Sequence, residues 1–270
     1  MKTSTKLQQL FHTHKGKHER LLCIFAHPDD ESLHCGGILA AAKKKALATS
    51  VICVTDGSRG HVSDHLTDQE LIRLRAKELK RAARILGVQT LTQWHYADGT
   101  VYRHRRKIYR QLQQLISRLK PTILITHDPS GATGHPDHIT LSALITKIVQ
   151  TEKTPTFRAF YAVLPIFDRA LQIMKFPFPL PIRNMPNTTH TVNIQPFLTT
   201  KKHALQAHAT QHLLSEAVLP IPLKTFLQPA EHFHQINQRR HYRFSLYAFQ
   251  TVGLNFKPKT TLVDISKLPV

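Results

Sequence analysis

Short apolar runs recur through the first 165 or so residues of the chain, and stretches that read as helix separate them. Residues 21–26 (LLCIFA), 50–55 (SVICVT), about 89–95, 122–126 (TILIT) and 157–163 read as strands, the first of them buried on both faces. An Ala-rich helix follows the Gly36-Gly37 step to about residue 48, and further helices are expected at 67–86, about 104–119 and 137–150. The helix at 67–86 has the clearest ends, with Thr67 and Glu70 in a capping-box pattern and Gly87 as its stop.

Strands that alternate with helices pair in parallel through right-handed crossovers. The expected fold class is therefore α/β: a Rossmann-like, doubly wound, mostly parallel sheet of order 3-2-1-4-5 with a smaller C-terminal extension. In that order the first and fourth strands are neighbours. Open α/β sheets bind ligands beyond the carboxyl ends of such strands, at the topological switch point. After residue 165 the pattern weakens. Phe176 to Pro186 reads as a Pro-rich loop, 190–194 as a strand, 197–214 as a helix and 242–249 as a strand. The expected organisation is a basic extension (1–20), the catalytic core (21–164), a part of the same domain that completes the substrate pocket (165–250) and a tail (251–270).

At 270 residues the chain can bury a full core. Its 37 Lys and Arg against 17 Asp and Glu give a formal charge of +20, which attracts anions of any kind. The basic residues are dispersed and no recognition motif or aromatic platform accompanies them, so no specific nucleic-acid partner is expected. Cys23, Cys35 and Cys53 form no CxxC pair, which argues against a thiolate metal site and fits a reducing, cytoplasmic setting. The first twenty residues are basic and polar and lack the apolar core of a signal peptide or membrane span. Lys43 to Lys45 read as a solvated helix end, and Cys35, Trp94 and Phe25 as packing.

The chemistry gathers at two strand ends. Ala26-His27-Pro28-Asp29-Asp30-Glu31 follows the first strand, and Gly134-His135-Pro136-Asp137-His138 lies beyond the fourth. A hydrolytic Zn²⁺ site wants about three His or carboxylate ligands and an open position, and His27, Asp30 and His138 could supply the ligands. Asp29, beside a ligand, could then serve as general base. His135, as an imidazolium whose pKa Asp137 raises, could stabilise an oxyanion. A metal-dependent phosphoesterase and a non-catalytic basic scaffold for nucleic acid or protein stay open beside this reading. The first wants more bridging carboxylates than these motifs hold, and the second leaves the filled acid–base positions without a purpose.

These residues resemble the LmbE-like or PIG-L deacetylases, which remove acetyl groups from N-acetylglucosaminyl substrates, including those of mycothiol, bacillithiol and GPI-anchor synthesis. His27 to Glu31 resemble the first signature of the family. Asp128-Pro129-x-Gly131 through His138 resemble the second. Thr55-Asp56-Gly57, Arg75-x-x-Glu78 with Leu86-Gly87-Val88, Tyr96-Ala97-Asp98-Gly99, Lys202 to Gln211 and Glu231-x-Phe233 follow in family order, so the likeness spans about residues 20–250. It implies zinc on His27, Asp30 and His138, catalysis by Asp29, His135 and Asp137, and approach of Arg75 and Asp98 to sugar hydroxyls. Arg75 could equally form a structural ion pair with Glu78. Thr133 stands where some members carry a tyrosine that assists the oxyanion, so His135 is left to carry that role or share it with another side chain. The group attached to the sugar is not written in the motifs. The basic surface and the insertion at 165–189 point to an acidic or phosphorylated one, and the chain is compatible with a homo-oligomer.

Overall fold

The computed structural model describes residue 11 and residues 19–60, 66–151, 156–163, 186–211, 227–240, 242–245 and 262–264, with the backbone alone for Thr133 and for 243–245 and 262–264. Most of the expected N-terminal extension, the Pro-rich stretch from Phe176 and most of the tail lie outside the described residues.

Seven strands form one sheet: β1 (Arg20–Phe25), β2 (Ala48–Thr55), β3 (Thr90–Tyr96), β4 (Ile123–His127), β5 (Arg158–Val163), β6 (His190–Asn193) and β7 (Ala230–Gln235). Their order is β3-β2-β1-β4-β5-β7-β6, and the first five are parallel in the expected 3-2-1-4-5 arrangement. The helices are α1 (Asp30–Lys44), α2 (Asp68–Leu86), α3 (Arg105–Leu119), α4 (Pro136–Thr151) and α5 (Leu198–Ala207).

The continuous apolar run of β1 is explained by helices on both sides of it. Leu22 and Ile24 join Ile108, Leu112, Leu144 and Ile148 of α3 and α4 in one core. Leu21, Cys23 and Phe25 join Ile38, Leu39, Leu86 and Ala204 of α1, α2 and α5 in the other. Alternate side chains of one strand thus feed opposite layers, as a period of two requires. The ends of α2 follow the sequence signals: Thr67 accepts from Glu70 N, the Glu70 side chain returns to Thr67 N, and Gly87 adopts φ 77°.

Three expectations need correction. The first helix does not wait for Gly36-Gly37. It starts at Asp30 and runs through both glycines. They serve close packing, because a Cβ on Gly36 would lie 2.9 Å from Lys201 Cγ and one on Gly37 2.5 Å from Ile194 Cδ1. Second, Ala230–Gln235 (AEHFHQ), read as no element, is an antiparallel strand between β5 and β6. Its polarity hid it, and its buried Glu231 is matched by Lys201 Nζ at 2.7 Å and by the N–H groups of Gly37 and Ile38 at 2.8 and 2.9 Å. Third, the helix expected over 197–214 ends at Ala207 and gives way to a 3₁₀ turn at Ala209–Gln211, with 212–214 outside the described residues. Of the strand expected at 242–249, β8 (Arg243–Ser245) is described, and it pairs with β9 (Leu262–Asp264) in a separate two-stranded sheet. Among the described residues no helix is long and apolar enough to cross a membrane.

Candidate metal centre

β1 and β4 are paired in parallel, with Cys23 opposite Ile125, so the two polar motifs leave the sheet side by side. After β1 the chain turns at His27-Pro28 and enters α1 at Asp30. After β4 it passes through Gly131 and Ala132, both with positive φ (69° and 57°), and enters α4 at Pro136. That turn aims the carbonyl of Gly131 at His138 Nδ1, 2.9 Å away.

Three donor atoms converge. His27 Nδ1 lies 2.8 Å from His138 Nε2, and Asp30 Oδ2 lies 3.6 Å from the first and 3.3 Å from the second. Tetrahedral ligands at bonds of about 2.0–2.1 Å are about 3.4 Å apart, so the set has the size of a divalent-cation site. The far sides of the imidazoles are also engaged. His138 Nδ1–H donates to Gly131 O, and His27 Nε2 lies 3.0 Å from Asp98 Oδ1. Such outer partners fix the tautomer and aim the opposite nitrogen at the ion. The same residues recur in overlapping groups able to hold a metal: His27 with His135 and His138, Asp30 with His127 and His138, and His27 with Asp98 and Asp137. Burial opposes charge on Asp30, but His138 and His127 hold its carboxyl well below the usual range. Burial likewise opposes charge on His27, and Asp98, Asp137 and Asp30 raise its pKa well above 6.5.

Asp29 is held from the side of α2. Its Oδ2 accepts from Arg75 Nη2 at 3.0 Å, and the same nitrogen donates to Pro28 O at 2.5 Å while Nη1 donates to Gly57 O at 2.8 Å. Asp29 sits at φ 122°, ψ −30°, a region that costs a non-glycine residue about 1–3 kcal/mol. Burial pushes its pKa up to about 6 against the pull of Arg75. Arg75 is therefore neither the partner of Glu78 nor turned to solvent. It is 2% exposed behind Asp29, and Glu78 accepts from the N–H and hydroxyl of Thr210 instead.

Asp137 does not hold His135 through its carboxylate. Asp137 Oδ2 accepts from Gly99 N and Oδ1 from Val101 N, at 2.7 and 3.0 Å, and Oδ2 lies 3.4 Å from His27 Nε2. It is the backbone N–H of Asp137 that donates to His135 Nδ1, at 3.2 Å. Burial, then His27 and His138, bring the His135 pKa down to about 3, so the expected imidazolium is a neutral ring here. With Nδ1 accepting, the proton sits on Nε2, 3.8 Å from Asp98 Oδ1. A neutral Nε2–H can still donate to an oxyanion. The role expected of Thr133 concerns a side chain outside the described ones.

The profile of the family described as PIG-L, GlcNAc-PI de-N-acetylase, matches residues 22–149. A probable N-acetyl-alpha-D-glucosaminyl L-malate deacetylase 2 of Bacillus anthracis is 31% identical over 204 residues, which cover 72% of this chain and 83% of that protein. The chain belongs to the PIG-L family. A diacetylchitobiose deacetylase of Thermococcus kodakarensis is 27% identical over 194 residues, 72% of this chain and 70% of that one. In fold, the chain is similar to the N,N'-diacetylchitobiose deacetylase of Pyrococcus horikoshii, with TM-score 0.59, 22% identity and coverage of 80% and 83% of the two chains.

In this PIG-L chain, sequence reasoning missed several members of the cluster. His127, the last residue of β4, stacks flat on His138 with centroids 3.9 Å apart and brings Nε2 to 3.3 Å from Asp30 Oδ2. Its place at the end of a switch-point strand was the available signal. Burial lowers the His127 pKa well below 6.5 and that of nearby His34 to about 4, so both rings are neutral. Glu31 belongs to the first motif but had no role assigned. It meets His208, from the end of α5, at 2.8 Å. Burial disfavours both charges, yet each partner sustains the other, with Glu31 lowered and His208 raised.

Proposed function

We propose that the chain is a zinc-dependent N-deacetylase that hydrolyses the acetamido group of an N-acetylglucosamine-containing substrate to acetate and a free amine. The observation that carries this reading is the convergence of His27 Nδ1, Asp30 Oδ2 and His138 Nε2 beside a separate carboxylate, Asp29, whose pKa is raised to about 6. Zinc held by those three residues supplies Lewis acidity for the amide carbonyl and for the attacking water.

Asp29 takes the proton that water gives up as its oxygen bonds to the carbonyl carbon. It then delivers that proton to the nitrogen as the C–N bond breaks, so acetate and the amine leave and the carboxylate is restored. His135 Nε2–H donates to the carbonyl oxygen as charge builds there. Asp137 anchors the Gly99–Val101 turn beside His27. Asp98 keeps His27 oriented and remains the candidate for a sugar hydroxyl, whereas Arg75 acts from behind Asp29.

The aglycone of this reading is anionic. The chain carries +20, and the guanidinium of exposed Arg59 packs so close to Gly99, next to Asp98, that a Cβ there would lie 2.8 Å from Nη1. A cytoplasmic location accords with three free, buried cysteines. The test is elemental analysis of the purified protein with acetate release from free N-acetylglucosamine, N,N'-diacetylchitobiose and N-acetylglucosaminyl malate. About one zinc per chain and fastest release from the malate conjugate are expected. Zinc-free protein that stays inert after reconstitution sinks the deacetylase, and equal rates on charged and neutral compounds sink the anionic aglycone.

A further inference from the structure

The general base assigned above sits in a backbone conformation that L-residues avoid, and the immediate surroundings of Asp29 show what holds it there. Its backbone N–H donates to Glu31 Oε2 at 3.1 Å. The other oxygen of Glu31 accepts from the Ser32 hydroxyl at 2.6 Å and meets His208 Nε2 at 2.8 Å. His208 is fully buried, lies 177 positions away in sequence and caps α5, whose following turn is tied to α2 by the bonds of Thr210 to Glu78. Arg75, also on α2, grips Pro28 O and the Asp29 carboxylate. Asp29 is thus clamped on both sides, at its carboxylate from α2 and at its N–H from α5 through Glu31.

We infer that Glu31 and His208 form a positioning pair for catalysis: His208 orders Glu31, and Glu31 fixes the Asp29 backbone so that its carboxylate addresses the reacting water. Neither residue belongs to the metal trio or touches the reacting atoms. The C-terminal part of the chain therefore reaches into the chemistry through one imidazole. This inference rests on the assignment of Asp29 as base.

Two variants of similar polarity separate positioning from simple stability. In His208→Gln the amide nitrogen falls near the place of Nε2 and can donate to Glu31. In His208→Asn the side chain is too short to reach it. Metal content, acetate release from N-acetylglucosaminyl malate and crystal structures of both variants are compared with wild type and with Asp29→Asn. The Gln variant is expected to keep kcat within about threefold. The Asn variant is expected to lose about 30-fold in kcat, on the scale of a lost outer-shell partner, with unchanged KM and metal content and with Asp29 relaxed from its φ of 122°. Equal kcat in the two variants, a loss confined to KM, or an Asp29 that keeps its φ in His208→Asn overturns the inference. Full activity in Asp29→Asn would instead remove the base assignment itself, so the two failures are distinguishable.

Discussion

Around Asp30 the protein gathers imidazoles, whereas around Asp29 it sets one guanidinium and a strained backbone. The two carboxylates are adjacent in sequence, equally buried to within a few per cent, and driven in opposite directions: His138 and His127 hold the pKa of Asp30 well below the usual range, and burial pushes that of Asp29 up to about 6. The difference comes from where each side chain points. Asp30 opens α1 and meets His127 at the end of β4 and His138 in α4, while Asp29 turns to α2 and meets Arg75. Carboxylates whose environments push them apart in this way mark a division of labour, here metal ligand against proton carrier.

The sharpest way to break that comparison is to remove each in turn. Asp30→Ala is expected to leave the protein without bound metal and with turnover at background, because the trio loses its only anionic member. Asp29→Asn is expected to bind zinc as wild type does and to lose about 10²–10⁴ in kcat, the range for a positioned general base. Elemental analysis beside acetate release checks both. Zinc loss in Asp29→Asn, or zinc retention in Asp30→Ala, would reverse the roles.

His135 packs beside His27 and His138 without touching either carboxylate of the pair, and it gives a smaller expected effect. With Nδ1 accepting from Asp137 N, its Nε2–H is left as the donor, 3.8 Å from Asp98 Oδ1. His135→Ala should cost about 100-fold or more in kcat, with metal content unchanged. Near-normal turnover would move the oxyanion to another group.

The contrast between readable and hidden parts follows the same physics. The run LLCIFA reads as a strand covered on both faces, and the order of elements brings the motifs of His27, Asp30 and His138 to neighbouring strand ends. AEHFHQ could not be read as a strand, because the burial of Glu231 makes sense only once Lys201 and the N–H groups of Gly37 and Ile38 are seen around it. Gly36-Gly37 looked like a break because sequence does not reveal that Lys201 and Ile194 press on those positions. His127 and His208 were single histidines among 19, and only long-range packing separates them from the rest. The amide partners of Asp137 were hidden for a related reason: it raises the pKa of His135 and holds Nδ1 through its own N–H, but its carboxylate accepts from the amides of Gly99 and Val101, distant in sequence.

The smallest expected effect concerns pH and bears on the Asp29 side alone. The base must be ionised to accept a proton, so kcat/KM should be high above about pH 6 and fall as pH drops through that value, where an ordinary aspartate would still be charged. Burial raises the pKa and Arg75 opposes it, which makes the position of the limb a measure of their balance. Arg75→Gln removes the cation while keeping hydrogen-bonding capacity, and the acid limb should move to higher pH. Arg75→Lys keeps the charge, and the limb should stay near its original place even if turnover drops because the forked contact to Pro28 O and Asp29 is lost. Profiles of the three proteins over pH 5–9 decide it: a limb that stays still in Arg75→Gln, or moves down, means that Asp29 is not the group whose ionisation limits the rate.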